Sequence, residues 1–279
     1  MMWWLKEHFM SDPNKPSWRN PVRARLEAGE FVIGVTITTN NLESATLAAT
    51  LGFHFLWVEM EHSPISLETL RCIVLATRSL PALVFARVPA VELWTAKRVL
   101  DQGVTGVIFP FVGDPQMAKT AAAACRYPPL GRRGSGAGLA SFTWPEAGNY
   151  YDSADANVLV VAMIEEATAV QRIDEIAATA GIDVLFIGTS DLSFSLGLRG
   201  RQDEPVLQDE IRKIAAAAKR HGKFLGRPAG TPEQVTQFRE EGFQFFQSVT
   251  ELGLMRLGAQ NLLKPLGIEG IPPERRALY

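Results

Sequence analysis

Ionisable side chains in this chain gather behind short apolar runs. Phe55-Leu56-Trp57-Val58 leads into Glu59-Met60-Glu61-His62, and Leu83-Val84-Phe85-Ala86 leads into Arg87. Val158 to Ile164 leads into Glu165-Glu166, Val184 to Gly188 leads into Thr189-Ser190-Asp191, and a later run reaches Arg227. Glu165 and Asp191, on neighbouring runs, suit a hard divalent cation. Mg²⁺ or Mn²⁺ takes a few carboxylate oxygens and fills its other positions with water and substrate. Zinc is a poorer match, because His8, His54, His62 and His221 are scattered and Cys72 and Cys125 lack ligand spacing. Gly188 to Leu192 reads as a strand-to-helix turn whose N–H groups could hold a carboxylate, although any capped helix offers a similar turn. His62 stands among acids at the rim that also carries Arg87, which favours proton transfer over a structural role. His54 opens its run at the opposite end, and His221 ends a helical stretch where a cation suits the dipole. Both read as structural, and Glu166 reads as a helix-opening acid. A Schiff-base aldolase needs a lysine amine at the active rim. None of Lys6, Lys15, Lys97, Lys119, Lys213, Lys219, Lys223 and Lys264 follows a strand candidate, so imine chemistry is disfavoured and a metal must polarise the substrate.

These residues need strands that end together. The strand candidates are Phe31–Thr38, Phe55–Glu59, Leu83–Arg87, Gly106–Phe109, Val158–Ile164, Val184–Gly188, Lys223–Arg227 and Phe245–Val249. Most are continuous apolar runs, as parallel strands buried on both faces require. Between and after them, Leu42–Leu51, Ser66–Arg78, Glu92–Leu100, Pro115–Cys125, Thr168–Thr179, Glu204–His221, Pro232–Glu241 and Glu251–Leu263 carry apolar residues three and four apart. Ser66, Asp114-Pro115 and Thr231-Pro232 are start signals, and Gly52, Gly103, Gly181, Gly222 and Gly242 are stops. Eight alternating units predict an α/β (β/α)₈ TIM barrel, with active residues at the strand C-termini. A doubly wound open sheet is the runner-up, but no GxGxxG follows the first strand. The long connection from Arg126 to Asn157 breaks the rhythm and reads as an active-site loop with a short helix near Trp144–Tyr151.

Composition bounds the rest. The chain has 279 residues, 47% of them hydrophobic, and a formal net charge of −2. This length fits one barrel, read as residues 21–265 with an N-terminal extension (1–20) and a C-terminal tail (266–279). The charge balance offers no Lys/Arg excess for nucleic acid, and no apolar run reaches membrane-spanning length. Two cysteines make no disulfide framework, so a reduced, cytoplasmic setting is expected. Met1-Met2-Trp3-Trp4-Leu5-Lys6 is too short for a signal peptide and reads as a tail that packs on the surface or a neighbouring subunit.

Taken together, several segments resemble one family. They are Gly52-Phe53 through Glu61-His62-Ser63-Pro64, Ala86-Arg87-Val88-Pro89, Arg126-Tyr127-Pro128-Pro129-Leu130-Gly131-Arg132-Arg133-Gly134, Met163-Ile164-Glu165 and Phe186 to Ser193. The chain resembles the HpcH/HpaI aldolases of the phosphoenolpyruvate/pyruvate barrel superfamily over residues 21–265. The nearest kinds are the metal-dependent 4-hydroxy-2-oxoheptanedioate and 2-keto-3-deoxy sugar acid aldolases. The resemblance implies Glu165 and Asp191 as metal ligands, for Mg²⁺ or Mn²⁺ with Co²⁺ a further candidate. It implies Arg87 at the keto or enolate oxygen of pyruvate, His62 as the catalytic histidine, Asp101 as the acid paired with it, and Thr189 and Ser190 on the pyruvate carboxylate. It also implies a homohexamer built from dimers that exchange the last helix.

The implied reaction is a class II pyruvate aldolase: reversible cleavage of a 4-hydroxy-2-oxo acid to pyruvate and an aldehyde through a metal-bound enolate. Three positions depart from the family pattern. Met60 replaces a glycine, Met163 replaces a frequent glutamine, and Gly226-Arg227-Pro228 replaces Gly-Ile-Leu. These changes predict a shifted acceptor preference, with Arg227 attracting an acidic or phosphorylated aldehyde. A related carbon–carbon lyase, an oxaloacetate decarboxylase and a catalytically weak keto-acid-binding barrel stay open as alternatives.

Overall fold

Each apolar run read as a strand forms one, and the eight strands close on themselves in chain order. They are β1 (Val32–Ile37), β2 (Phe55–Glu59), β3 (Leu83–Arg87), β4 (Gly106–Phe109), β5 (Leu159–Ile164), β6 (Val184–Ile187), β7 (Phe224–Pro228) and β8 (Phe245–Thr250). The computed structural model describes residues 18–144, 149–268 and 270. All neighbours are parallel, and β8 returns to β1, pairing Phe245 with Val32. This is a (β/α)₈ barrel, and the open doubly wound sheet is excluded.

The helices are α1 (Pro21–Glu27), α2 (Leu42–Ala48), α3 (Leu67–Thr77), α4 (Leu93–Leu100), α5 (Pro115–Ala124), α6 (Gly138–Thr143), α7 (Tyr150–Asn157), α8 (Ala167–Gln171), α9 (Ile173–Ala177), α10 (Thr189–Ser195), α11 (Pro205–Arg220), α12 (Pro232–Glu240) and α13 (Glu251–Leu263). The expected caps form: Ser66, Asp114 and Thr231 accept from the N–H groups of Thr69, Met117 and Gln234. The five stop glycines all take positive φ, between 62° and 98°, where an L side chain is strained.

Side chains alternate in and out of the barrel. Phe55, Trp57, Phe85, Phe186 and Phe245 fill the interior, with Phe55 and Phe245 stacked at 4.6 Å and Trp57 against Phe186 at 5.0 Å. Glycine makes room for these rings. A Cβ at Gly34 would collide with Phe55, one at Gly106 with Phe85, and one at Gly226 would stand 2.8 Å from Phe186.

The N-terminal mouth is closed by α1, which the periodicity analysis does not anticipate. Its Val22 and Leu26 join the interior cluster with Val32 and Phe55. Asn20 caps it and is fully buried, donating to the carbonyls of Thr105 and Asn157. Asn157 in turn accepts from the Asn20 N–H at 2.6 Å and donates to Trp18 and Ser153 carbonyls.

Three expectations need correction. The stretch Thr168–Thr179 is two helices, α8 and α9, because Arg172 leaves helical backbone between them. The helix expected near Trp144–Tyr151 is replaced by α6 and α7, with residues 145–148 outside the described residues. The long connection is not on the active face. It follows α5, and a helix that returns from a strand ends at the strands' N-terminal side. Arg126 pairs there with Asp183, just before β6, at 3.3 Å, and the Tyr127 N–H donates to Asp155 in α7. The aromatic tail around Trp3-Trp4 and the segment Pro272–Tyr279 lie outside the described residues.

Candidate active site

Alternation decides which strand-end residues share the barrel mouth. Trp57 and Glu59 on β2, Phe85 and Arg87 on β3, and Met163 and Glu165 at β5 are two apart, so each polar residue stands above an interior apolar one. Arg87 is buried between two acids. Its Nε donates to Glu59 Oε2 at 2.5 Å, and its Nη1 lies 3.2 Å from Glu61 Oε2 and 3.9 Å from Met163 Sδ. The Trp57 ring lies 5.8 Å below the guanidinium, and its Nε1 donates to the same Glu59 oxygen. The other Glu59 oxygen accepts the N–H groups of Glu61 and His62, at 2.8 and 3.0 Å. One carboxylate thus fixes both the arginine and the loop that carries the histidine. His62 is 47% exposed at the side chain, with Nε2 3.4 Å from Glu61 Oε2.

Glu165 is the deepest acid, at 2% exposure. Its Oε2 accepts the Phe111 N–H at 2.9 Å, and Phe111 takes φ 48°, in the left-handed region, after β4. Gly188 is required opposite it, since a Cβ there would collide with the Glu165 carboxylate. Burial pushes the Glu165 carboxyl up to about 7, against the Phe111 N–H and Arg87, and the nearby Asp191 and Glu61 add to the rise. Glu61 is also raised, first by burial and then by Glu59 and Asp191, with Arg87 and His62 opposing. Glu61 and Glu165 are each raised in part by neighbouring carboxylates, so the site is short of positive charge. A hard divalent cation is the kind of ligand that such a deficit suits. Among the described residues no three His, Cys, Asp or Glu side chains converge tightly enough to form a complete cage. Open positions for water and substrate are what Mg²⁺-type sites keep. Thr189 is buried and Ser190 partly buried at the start of α10, one turn ahead of the Ser193 hydroxyl, which donates to the Ser190 carbonyl.

Two expected residues stand apart from this group. Asp101 caps the C-terminus of α4, on the opposite face of the barrel from His62. Its charged neighbour is Arg133 at 3.5 Å, whose fully buried guanidinium lies between the rings of Tyr127 and Tyr150. Within one chain, Asp101 and His62 therefore do not meet. Arg227 follows the inward-facing Gly226 and so points outward from β7, onto Phe238 of α12, with the guanidinium carbon 3.5 Å from the ring centre. It is not in the mouth beside Glu165 and Arg87. Glu59, Glu61 and Phe111 belong to the mouth and carry no individual role in the sequence reading, and Gly188, read there only as the start of the anion-holding turn, also makes room for Glu165. Counting by twos from Trp57 places Glu59 inside. The backbone contact of Phe111 leaves no sequence signal.

With this geometry in place, comparison with known proteins is informative. The model of a family described as HpcH/HpaI aldolase/citrate lyase matches residues 33–256. A 5-keto-4-deoxy-D-glucarate aldolase of Klebsiella pneumoniae is 32% identical over 243 residues, covering 87% of this chain and 95% of that protein. A 2-dehydro-3,6-dideoxy-6-sulfogluconate aldolase of Pseudomonas putida is 34% identical over 234 residues, 84% of this chain and 92% of the other. The crystal structure of an HpcH/HpaI aldolase/citrate lyase family protein from Burkholderia cenocepacia superposes with a TM-score of 0.82 at 30% identity, covering 89% of this chain and all of that one.

Proposed function

The chain belongs to the HpcH/HpaI aldolase/citrate lyase family, and from that premise we propose that this carbon–carbon lyase is a divalent-metal-dependent pyruvate aldolase. It reversibly cleaves a 4-hydroxy-2-oxo acid to pyruvate and an aldehyde. The observation that carries the reading is the buried arginine among three acids: Arg87, Glu59, Glu61 and Glu165 in one barrel mouth.

Glu165 and Asp191 would hold Mg²⁺ or Mn²⁺, which when bound supplies Lewis-acid polarisation of the keto acid. The turn at Thr189 and Ser190 binds the pyruvate carboxylate through its N–H groups. Arg87, held by Glu59, presents its guanidinium to the keto oxygen, where negative charge grows as C3–C4 breaks. His62, aligned by the Glu59 carboxylate and facing Glu61, moves protons between the 4-hydroxyl, solvent and C3. The electrons of the breaking bond pass to the keto oxygen, and reprotonation at C3 gives the pyruvate methyl group.

The two curated relatives support a sugar-acid substrate. A glucarate carries a carboxylate at each end, and a 6-sulfogluconate carries a carboxylate and a sulfonate, so the aldehyde fragment bears its own acid group. The chain functions as a homo-oligomer, a hexamer by family resemblance. Asp101, on the face opposite His62, then meets the histidine of a second copy. Cys72 and Cys125 are both free thiols, which supports a reducing compartment such as the cytoplasm.

Deuterium exchange into the pyruvate methyl group tests the reading without knowledge of the aldehyde. Exchange followed by NMR after metal chelation should require Mg²⁺ or Mn²⁺ and fall at least ~100-fold in Glu165→Ala. Absence of exchange in folded protein with every divalent metal tried would overturn it and favour a keto-acid-binding barrel.

A further inference from the structure

Arg227 is a buried cation with few partners. Its side chain is 9% exposed, and its nearest carboxylate oxygen, on Glu241, is 4.0 Å away. The guanidinium makes no hydrogen bond to any described residue, and its buried Nε has no partner. Phe238 and Phe243 cover it, at 3.5 and 5.1 Å from its central carbon. Aromatic faces recover part of the cost of burying the charge, but they leave the N–H edge unsatisfied.

That edge borders a cavity of about 400 Å³ between the ends of β7 and β8 and helices α10, α11 and α12. Thr36 and Thr189 line one part of it, and Thr189 belongs to the turn assigned to the pyruvate carboxylate. Arg227, Gln202, Gln247 and Ser248 line the rest, with Asp203 and Glu241 also present. The Ser248 hydroxyl is buried and makes no hydrogen bond. Cavities of roughly 300–1,000 Å³ take small ligands. This one joins two unsatisfied donors to the edge of the reaction site, and amide and hydroxyl groups supply most of its other polar lining.

We propose that this cavity is the acceptor subsite, and that Arg227 and Ser248 bind the terminal phosphate or carboxylate of an aldehyde whose carbonyl end points past Thr189 toward the methyl carbon of the bound pyruvate. The inference rests on the aldolase reading and deepens it, naming the residues that would hold the acid group of the acceptor. Gln202 and Gln247 face the intervening chain, which suits hydroxylated carbons. Asp203 and Glu241 disfavour a second anionic group along that chain.

The test measures kcat/KM for aldol addition of pyruvate to two matched pairs: D-glyceraldehyde 3-phosphate with D-glyceraldehyde, and 4-oxobutanoate with butanal. Wild type should prefer the anionic member of at least one pair, and which pair responds distinguishes a phosphate from a carboxylate terminus. Arg227→Met, which keeps a stem against Phe238, should reduce that preference about 30-fold or more, mainly through KM. Ser248→Ala should reduce it several-fold. An unchanged ratio in both variants, or equal loss on charged and neutral acceptors, would overturn the subsite. Calorimetric titration with D-glyceraldehyde 3-phosphate and with 4-oxobutanoate requires no turnover, so the subsite remains testable even where pyruvate exchange fails. Binding to wild type that weakens in Ser248→Ala supports it, even where Arg227→Met does not fold. Absence of binding by both anions overturns it.

Discussion

Gly188 is an unusual kind of site residue, because its contribution is the absence of a side chain. A Cβ there would occupy the position of the Glu165 carboxylate, and the two flanking backbone segments belong to adjacent strands with little freedom to yield. Gly188→Ala should therefore displace Glu165 and lower pyruvate methyl exchange by ~100-fold or more while the far-ultraviolet circular dichroism stays native. Wild-type exchange rates in this variant would show that Glu165 does not need its present position. Most of the mouth was legible because acids and Arg87 follow apolar runs in the sequence. Arg227 was legible as a strand-end cation but not as an outward one. Its orientation follows from the parity of β7, where Phe224 and Gly226 face the interior. Asp101 differs for another reason: its pairing with His62 is what the resemblance implies, and the structure separates the two within one chain, because the face of the barrel on which a helix ends depends on chain direction, which residue type does not encode.

At the scale of elements, strands were easier to read than the pieces between them. Parallel strands buried on both faces are nearly pure apolar sequence, and β5 is buried at every position. The five glycines with positive φ mark where helices hand over to strands. The α1 plug was missed because a seven-residue helix that buries only Val22 and Leu26 shows too little periodicity. Its hold on the barrel is polar, through the reciprocal Asn20–Asn157 pair. Asn157→Ala would leave the Asn20 N–H and the Trp18 and Ser153 carbonyls without this partner in a buried setting. Such losses cost about 1–3 kcal/mol each when unrelieved, so the variant should lose about 2–4 kcal/mol in urea denaturation. A loss below about 0.5 kcal/mol would mean that water replaces the clamp. The long Arg126–Asn157 connection shows the limit of loop length as a guide: its buried Arg126 and Arg133 tie it to the N-terminal face.

At the scale of the whole molecule, α13 does not behave as a barrel helix. Glu251 anchors its start by accepting the Thr38 and Thr39 N–H groups at 2.7 and 2.8 Å. Beyond that, Leu252, Met255, Leu257 and Leu262 are all 45–70% exposed. Apolar exposure of this extent on one helix is what a subunit interface presents, which fits the proposed assembly. Leu262→Glu combined with Met255→Glu should reduce the sedimenting mass of the assembly. If Asp101 and His62 meet only between copies, pyruvate exchange should fall with it. A variant that keeps the wild-type mass would place the interface elsewhere. The barrel interior, by contrast, is settled within each chain, and it is inherited in pairs. Gly34, Gly106 and Gly226 each leave the volume that a neighbouring ring fills. A lineage that enlarges one of these glycines must shrink the matching ring in the same step or pass through a poorly folded ancestor. Drift inside this barrel is therefore channelled into coordinated exchanges, while single substitutions accumulate on the outer helices, where volume is not shared.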